Sequence, residues 1–197
     1  MGKIMAGFSM SLDGFVADLN DSVDEVFKWF FSGNKDGEVT IGKEPLKVSS
    51  EGAEFIKEAG KATGVLVSAR KTFDLAKAWG GKHPMGVPVV VVTHNPPKEW
   101  VGKKDSPFTF VSDGVESAIE KARQIAGDKD IAVGAPSVTR QCIDLGLLDG
   151  IHIDLVPVLL GNGVLLFENL QIKPIEMEVV AMSGGSNVTH LTYRIIK

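Results

Sequence analysis

The stretch "IAVGAPSVTRQCIDLGLLDGIHIDLVPVLLGNGVLLFE", residues 131–168, holds the change of rhythm on which the fold turns. It opens on a short apolar strand, Ile131 to Val133. A turn of small residues follows, Gly134-Ala135-Pro136-Ser137-Val138, and leads into the helical pattern "SVTRQCIDLG". After Leu147 the helices stop. "GIHIDLVPVLL" reads as a strand, and so do the later segments "IEMEVVAM" and "VTHLTYRII", with no helix between them.

Upstream, strands and helices alternate. "KIMAGFSMSL" is a strand, and "SVDEVFKWFF" is a helix with Ser22 and Glu25 in capping-box spacing. "SEGAEFIKEA" is a second helix closed by Gly60. "GVLVS" is a strand leading into the helix "RKTFDLAKAW". The valine run in "VPVVVVT" has no polar alternation, as expected of a strand buried on both faces. "FTFVS" is another strand. In "DGVESAIEKARQIAG" Asp113 and Glu116 match a D-x-x-E cap, and Val115, Ala118, Ile119, Ala122 and Ala126 form one apolar face ending at Gly127. A βα-alternating part that passes into a β-rich tail predicts an α/β fold of three layers. Its central sheet is mixed and mainly parallel, with antiparallel strands at the C-terminal end, and residues 1–197 form one domain. Residues 33–48 are the longest irregular stretch, either a loop over a site or plain surface.

Bulk composition narrows the function. The chain has 197 residues, 44% apolar and 23% charged, which is ordinary for a globular protein. A formal net charge of −4 argues against a general nucleic-acid binder but leaves room for a local cationic pocket. No stretch approaches the ~20 apolar residues of a membrane span, and no secretory pattern opens the chain. The single cysteine, Cys142, permits neither an internal disulfide nor a cysteine metal cluster, so the expected setting is the cytoplasm. Cys142 falls mid-helix on a buried face and reads as inert.

In an open α/β sheet, ligands bind beyond the carboxyl ends of strands. Three such ends carry suggestive residues: Ser68-Ala69-Arg70-Lys71-Thr72, then Thr93-His94-Asn95, then Gly134 to Val138. Arg70 and Lys71 lie in the first turn of a helix, where the macrodipole disfavours cations. Solvation alone can account for them, but so can a bound anion. The Gly134 turn can admit a pyrophosphate to backbone N–H groups, or can serve turn geometry only. Together the three ends describe a long anionic ligand. There is no P-loop, no strand-linked G-x-G-x-x-G and no G-x-S-x-G elbow, and "GNG" at Gly161 to Gly163 reads as a turn. His83, His94, His152 and His190 are scattered without metal-ligand spacing, so no metal is expected.

The pattern resembles the dihydrofolate reductase-like family. It is similar to the reductase domain of the riboflavin-pathway bifunctional deaminase-reductases (the RibD C-terminal domain) and their stand-alone relatives. The marks are "SMSLDGFVAD", "SARKTFD" where the family tends to have G-R-x-T-[FWY], "VVVVTHN", the whole of residues 131–168, and a closing "THLTYRI". The resemblance implies a three-layer αβα dihydrofolate reductase-like fold and NADPH as cofactor. Arg70, Lys71 and Thr72, following Ser68, would hold the adenosine-side phosphates. Thr93 and His94 would flank the ribose, and Gly134, Ala135, Ser137 and Val138 would cradle the pyrophosphate. Ala6 and the loop Ser11 to Gly14 would border the nicotinamide. Two positions depart from the family: Ala69 replaces a glycine, and Ala135 replaces the second glycine of a pair that often carries a cis peptide in this fold.

The substrate side is thinner. Folate reductases carry an acid on the first helix; here Asp21, Asp24 and Glu25 crowd its first turn, where capping explains them. No proton donor is assigned. Trp29 and Phe30 could stack on a planar substrate ring, or belong to the core. Asp13 reads equally as a polar substrate contact and as a turn residue before Gly14. His152 and Asp154 share one strand face, expected to be solvated or at an interface. The resulting expectation is an NADPH-dependent reductase of a small heterocyclic substrate, ribosylaminopyrimidine-type or pterin-like. The other reading is a non-catalytic NADP(H)-binding or redox-sensing protein. The apolar tail strands, with few helices to cover them, point to a homodimer, as the resemblance does.

Overall fold

A computed structural model describes residues 2–33, 38–41, 44–171, 174–185 and 187–197. Strand β1 (Ile4–Ser11) lies near the middle of an eight-stranded sheet. β2 (Phe15–Ala17) follows, then the single turn α1 (Asp24–Phe27), which passes into a 3-10 turn over Lys28–Phe31. β3 (Glu38–Ile41) and β4 (Glu44–Lys47) pair as an antiparallel hairpin. α2 (Ser50–Ala62) leads to β5 (Thr63–Ala69) and α3 (Arg70–Leu75). After β6 (Val89–Val92) and β7 (Phe108–Val111) come α4 (Val115–Ala126), β8 (Asp130–Val133) and α5 (Pro136–Asp144). The tail holds β9 (Gly150–Val156), the short β10 (Val164–Leu165), β11 (Met177–Gly185) and β12 (Val188–Ile195).

The sheet order is β11-β12-β9-β1-β8-β5-β6-β7. From β9 to β7 every pairing is parallel, and β12 runs antiparallel to both β9 and β11. The fold is therefore the mixed, mainly parallel α/β arrangement expected. One face of the sheet is covered by α4 and α5. The five apolar residues expected on one face of α4 are all buried there, with Val138 and Cys142 of α5. On the other face, α2, the hairpin and the 3-10 turn enclose Trp29, Val39, Leu46, Val48 and Val156. Phe73 of α3 packs with Val89, Val91 and Phe108 beyond them. Among the described residues no helix is long and apolar enough to cross a membrane.

Several local expectations are corrected. Residues 33–48 are not irregular throughout: β3 and β4 bury Val39 and Leu46 against Trp29, so packing orders the hairpin. Positions 34–37 and 42–43 lie outside the described residues. The Ser22–Glu25 capping box does not form, because the Ser22 amide donates to Asp18 Oδ1 at 2.9 Å and Glu25 pairs with Lys28. Asp113 does not cap α4; Gly114 takes the N-cap position at φ 109°, and no side chain bonds there. α2 runs through Gly60 to Ala62. α3 is only six residues long, and Ala78, Trp79 and Gly80 adopt left-handed φ values of 51°, 48° and 64° in the turn that follows it. An aromatic contact accompanies that turn, with Trp79 edge-on to Phe73 at 6.1 Å between ring centres.

Candidate functional site

The alternation of β1 decides where a ligand can lie. Ile4 and Ala6 point into the core under α4 and α5, so Gly7, Ser9 and Ser11 face the other side. β1 has strands on both flanks, yet Gly7 is exposed, and a Cβ built on it would meet nothing within 4 Å. A strand interior open at this point is a slot over the middle of the sheet. Gly134 follows β8 on the same side: its own Cβ would meet Leu66 Cδ1 at 3.0 Å. Beside it, α5 begins at Pro136 after Ala135, which has no side chain able to cap. Pro136 lacks an N–H, and the first-turn amides of Ser137 and Val138 have no intrahelical acceptor. The helix thus starts with donors open to a ligand. Among the described residues no peptide bond is cis, so Gly134–Ala135 is trans.

The next strand end carries Ser68, whose hydroxyl is fully buried and has no hydrogen-bond partner. Arg70 opens α3 there. Its Nε lies 2.8 Å from both carboxylate oxygens of Asp74, and Nη1 donates to the Asn95 carbonyl. That contact joins α3 to the loop after β6, which carries the exposed His94 and the buried Thr93. Lys71 Nζ reaches Asp21 Oδ1 at 2.6 Å, and Thr72 is half-buried in the same turn. The phosphate-side residues foreseen from sequence therefore lie on neighbouring strand ends, with their cations already compensated by acids. An open glycine floor, an uncapped helix start and an orphaned buried hydroxyl fit a dinucleotide.

Asp13 is used by the chain itself. Its Oδ1 accepts from Ser11 Oγ at 2.6 Å and from the Leu160 amide at 3.2 Å, and its Oδ2 accepts from the Gly161 amide at 2.7 Å. Ser11 Oγ in turn accepts from the Phe15 amide, which leaves Gly14 at φ 90° to complete the turn. The Ser11 hydroxyl and these amides hold the Asp13 carboxyl below the usual range. This is the geometry of the turn-residue reading. Trp29 is 2% exposed, stacks on the half-buried Phe30 at 4.0 Å, and donates Nε1–H to Ser9 Oγ at 2.9 Å, so it belongs to the core. Cys142 is fully buried, and burial pushes its thiol up to about 12, which leaves it a neutral packing residue.

His152 and Asp154 overturn their expected place. They are not solvated; each is 7% exposed, and His190 beside them is 3% exposed. In the β1–β9 register His152 stands next to Gly7 and Asp154 next to Ser9, so the cluster borders the slot. His190 arrives from β12 opposite Asp154. Asp154 Oδ1 lies 2.9 Å from His152 Nε2 and 2.7 Å from His190 Nδ1, and His152 Nδ1 lies 2.8 Å from Thr192 Oγ1. Phe55 of α2 stacks on His152 at 3.8 Å, and Trp29 meets His190 edge-on at 5.1 Å. Burial works to raise the Asp154 carboxyl, but the two imidazoles outweigh it and hold it below the usual range. The histidines that look scattered in sequence thus include two held on one carboxylate. The available signal was the period-two spacing in "HID" and "THLT", since two strands with polar residues on one face can be neighbours.

The sheet order, the glycine-floored slot and the ligand-ready strand ends define an α/β protein of the dihydrofolate reductase-like class. The family model of the RibD C-terminal domain matches residues 2–191, and the chain belongs to that family; it is an oxidoreductase. Among solved structures, the chain is similar to a "Putative riboflavin biosynthesis protein" from Shewanella sp. PV-4, with TM-score 0.76, 21% identity and 99% of each chain covered. It is also similar to a diaminohydroxyphosphoribosylaminopyrimidine deaminase/5-amino-6-(5-phosphoribosylamino)uracil reductase from Thermotoga maritima. There the TM-score is 0.63 and identity 11%, over 99% of this chain and 57% of that one. Dihydrofolate reductase from Enterococcus faecalis, complexed with NADP(H), matches with TM-score 0.56 and 16% identity, over 100% of this chain and 98% of that one. No curated protein matches the sequence.

Proposed function

We propose that the chain is an NADPH-dependent reductase of a small heterocyclic substrate of the 5-amino-6-ribosylamino-pyrimidine or pterin type. Residues 1–197 work as one catalytic unit in this reading. The observation that carries it is Gly7, exposed in the interior of the sheet and next to the uncapped start of α5. The Thermotoga neighbour, a deaminase and 5-amino-6-(5-phosphoribosylamino)uracil reductase, and the Enterococcus neighbour, a dihydrofolate reductase complexed with NADP(H), support the same choice. Bound NADPH supplies a hydride from C4 of its nicotinamide.

The chain's residues divide the work of holding and orienting. The amides of Ser137 and Val138 receive pyrophosphate oxygens, with Gly134 and Ala135 as the close floor. Arg70, Lys71 and Thr72 take the adenosine-side phosphates, Ser68 lies at the end of the strand below them, and Thr93 and His94 flank the ribose. The Ala6 backbone and the Ser11–Gly14 loop border the nicotinamide, and the Asp13 clamp holds that loop in place. Trp29 and Phe30 exclude water from the substrate side. A homodimer joined through the β-rich tail and a cytoplasmic setting belong to the same reading. The exposed outer strand β11 and the single buried cysteine support them.

Loss of reduced-nicotinamide absorbance, followed with ribosylaminopyrimidines, pterins and small carbonyl compounds, tests the proposal. Turnover with one class and a preference for NADPH over NADH is the expected result. Tight NADPH binding with no turnover across the panel would favour the sensing role, and no nucleotide binding would end both.

A further inference from the structure

We propose that His152, Asp154 and His190 form a binding site for one divalent transition cation of the Zn2+ type, linking β9 to β12 beside the slot. The three residues offer ligand atoms that lie within 4.8 Å of one another, and all three are buried. Two imidazoles and a carboxylate are the donor set such a cation takes, with a fourth position left for water or a ligand. Tetrahedral bonds of about 2.0–2.1 Å place donor atoms about 3.3 Å apart. The present separations of 2.9 and 2.7 Å about Asp154 Oδ1 would open by about half an ångström each, and the ring nitrogens, all donors lying within 4.8 Å, would draw toward the same spacing.

The cluster is buried and its donor atoms converge. Asp154 is buried, and one of its carboxylate oxygens faces both imidazoles. His190 Nε2 is buried without a partner. A buried ring nitrogen in that position is costly whether or not it carries the proton. Coordination through His152 Nε2 and His190 Nδ1 fixes the tautomers and leaves that nitrogen outside the cation's shell. Each neutral imidazole turns its lone pair, on His152 Nε2 and His190 Nδ1, to the cation, and its proton moves to the other ring nitrogen. On His152 that nitrogen already faces Thr192 Oγ1 at 2.8 Å, the outer hydrogen bond that orients a metal-binding histidine. On His190 it faces the space left by Gly52: a Cβ there would lie 3.5 Å from His190 Nε2 and 3.5 Å from Ser49 Oγ. The Phe55 ring and Trp29 fix both imidazoles from the α2 side.

The test uses the whole chain stripped with a chelator and titrated with Zn2+ against a chromophoric competitor, and with Co2+ read by its ligand-field absorption. One equivalent should bind, the bound Co2+ should give the intense bands of a tetrahedral site, and the melting temperature should rise. His190→Gln and Asp154→Asn should each abolish stoichiometric binding. Thr192→Val keeps the side-chain shape, removes only the outer hydrogen bond, and should weaken binding about 10- to 100-fold. His83→Gln with His94→Gln should leave it unchanged. Wild-type protein that binds no Zn2+ would overturn the site. So would binding equally strong in the Thr192 and His190 variants, which would mark an adventitious ion only. None of these readouts depends on the reductase reading.

Discussion

The Arg70 guanidinium and the Asp74 carboxylate lie one helical turn apart on α3, with Nε 2.8 Å from both oxygens, while Nη1 of the same group holds the Asn95 carbonyl. Arg70 therefore spans the two strand ends where a 2′-phosphate would lie. A charge-assisted contact of this kind contributes roughly 1.5–3 kcal/mol. Arg70→Ala should weaken NADPH by about ten- to a hundredfold, at about 1.4 kcal/mol per decade. NADH should change far less, and the preference between the two cofactors should collapse. Fluorescence titration of both nucleotides measures this. Equal losses for the two would assign Arg70 to the pyrophosphate or to the scaffold.

Gly134→Val should abolish NADPH binding in a folded protein. The new side chain presses on Leu66 Cδ1, the far end of a flexible side chain, so the fold can adjust while the slot floor is filled. Circular dichroism establishes folding, and nucleotide titration gives the affinity. A folded variant with wild-type affinity would make this glycine a turn residue only.

Asp149 gives an acid dependence with a definite sign. Its Oδ2 accepts from the Ile4 amide at 2.8 Å and its Oδ1 from Lys197 Nζ at 2.7 Å, tying the start of β1 to the chain's end. Burial works to raise its carboxyl, but the Lys197 and Ile4 bonds prevail and hold it below its ordinary value of 3.8. The unfolded chain then binds more protons in that range, so this contribution is present above 3.8 and is lost as pH falls through the folded value. Urea midpoints of wild type and Asp149→Asn should differ near neutral pH and converge in acid. A gap that persists at low pH would assign the effect to packing.

β11 is the outermost strand on its side of the sheet, and Val179, Val180 and Met182 are 62%, 60% and 72% exposed. An open strand edge with this much apolar surface is a pairing surface. Sedimentation should find a dimer at micromolar concentration, and Met182→Glu with Val179→Lys should return it to monomer with the fold intact. A wild-type monomer would remove the tail from the assembly.

What the sequence determined by itself was local and periodic. The apolar face of α4, the valine strand, the small-residue entry to α5 and the strand-only tail all depend on neighbours a few residues apart, and each stands as expected. Family motifs on those elements also marked the strand ends that gather around the slot. Tertiary structure decided what depends on register and on competition between partners. Asp113 leaves α4 uncapped because Gly114 takes the N-cap position, and the Ser22 amide is claimed by Asp18 before a capping box can close. Asp13 is taken by amides 147 and 148 residues away. His190 stands 36 residues from Asp154, and only the pairing of β12 with β9 brings its ring to that carboxylate. A slip of one residue in that pairing would turn His190 to the opposite face, because side chains alternate along a strand. The period-two spacing marks a polar face on each strand but does not set the register between them; the packing of two strands, α2 and Trp29 supplies it.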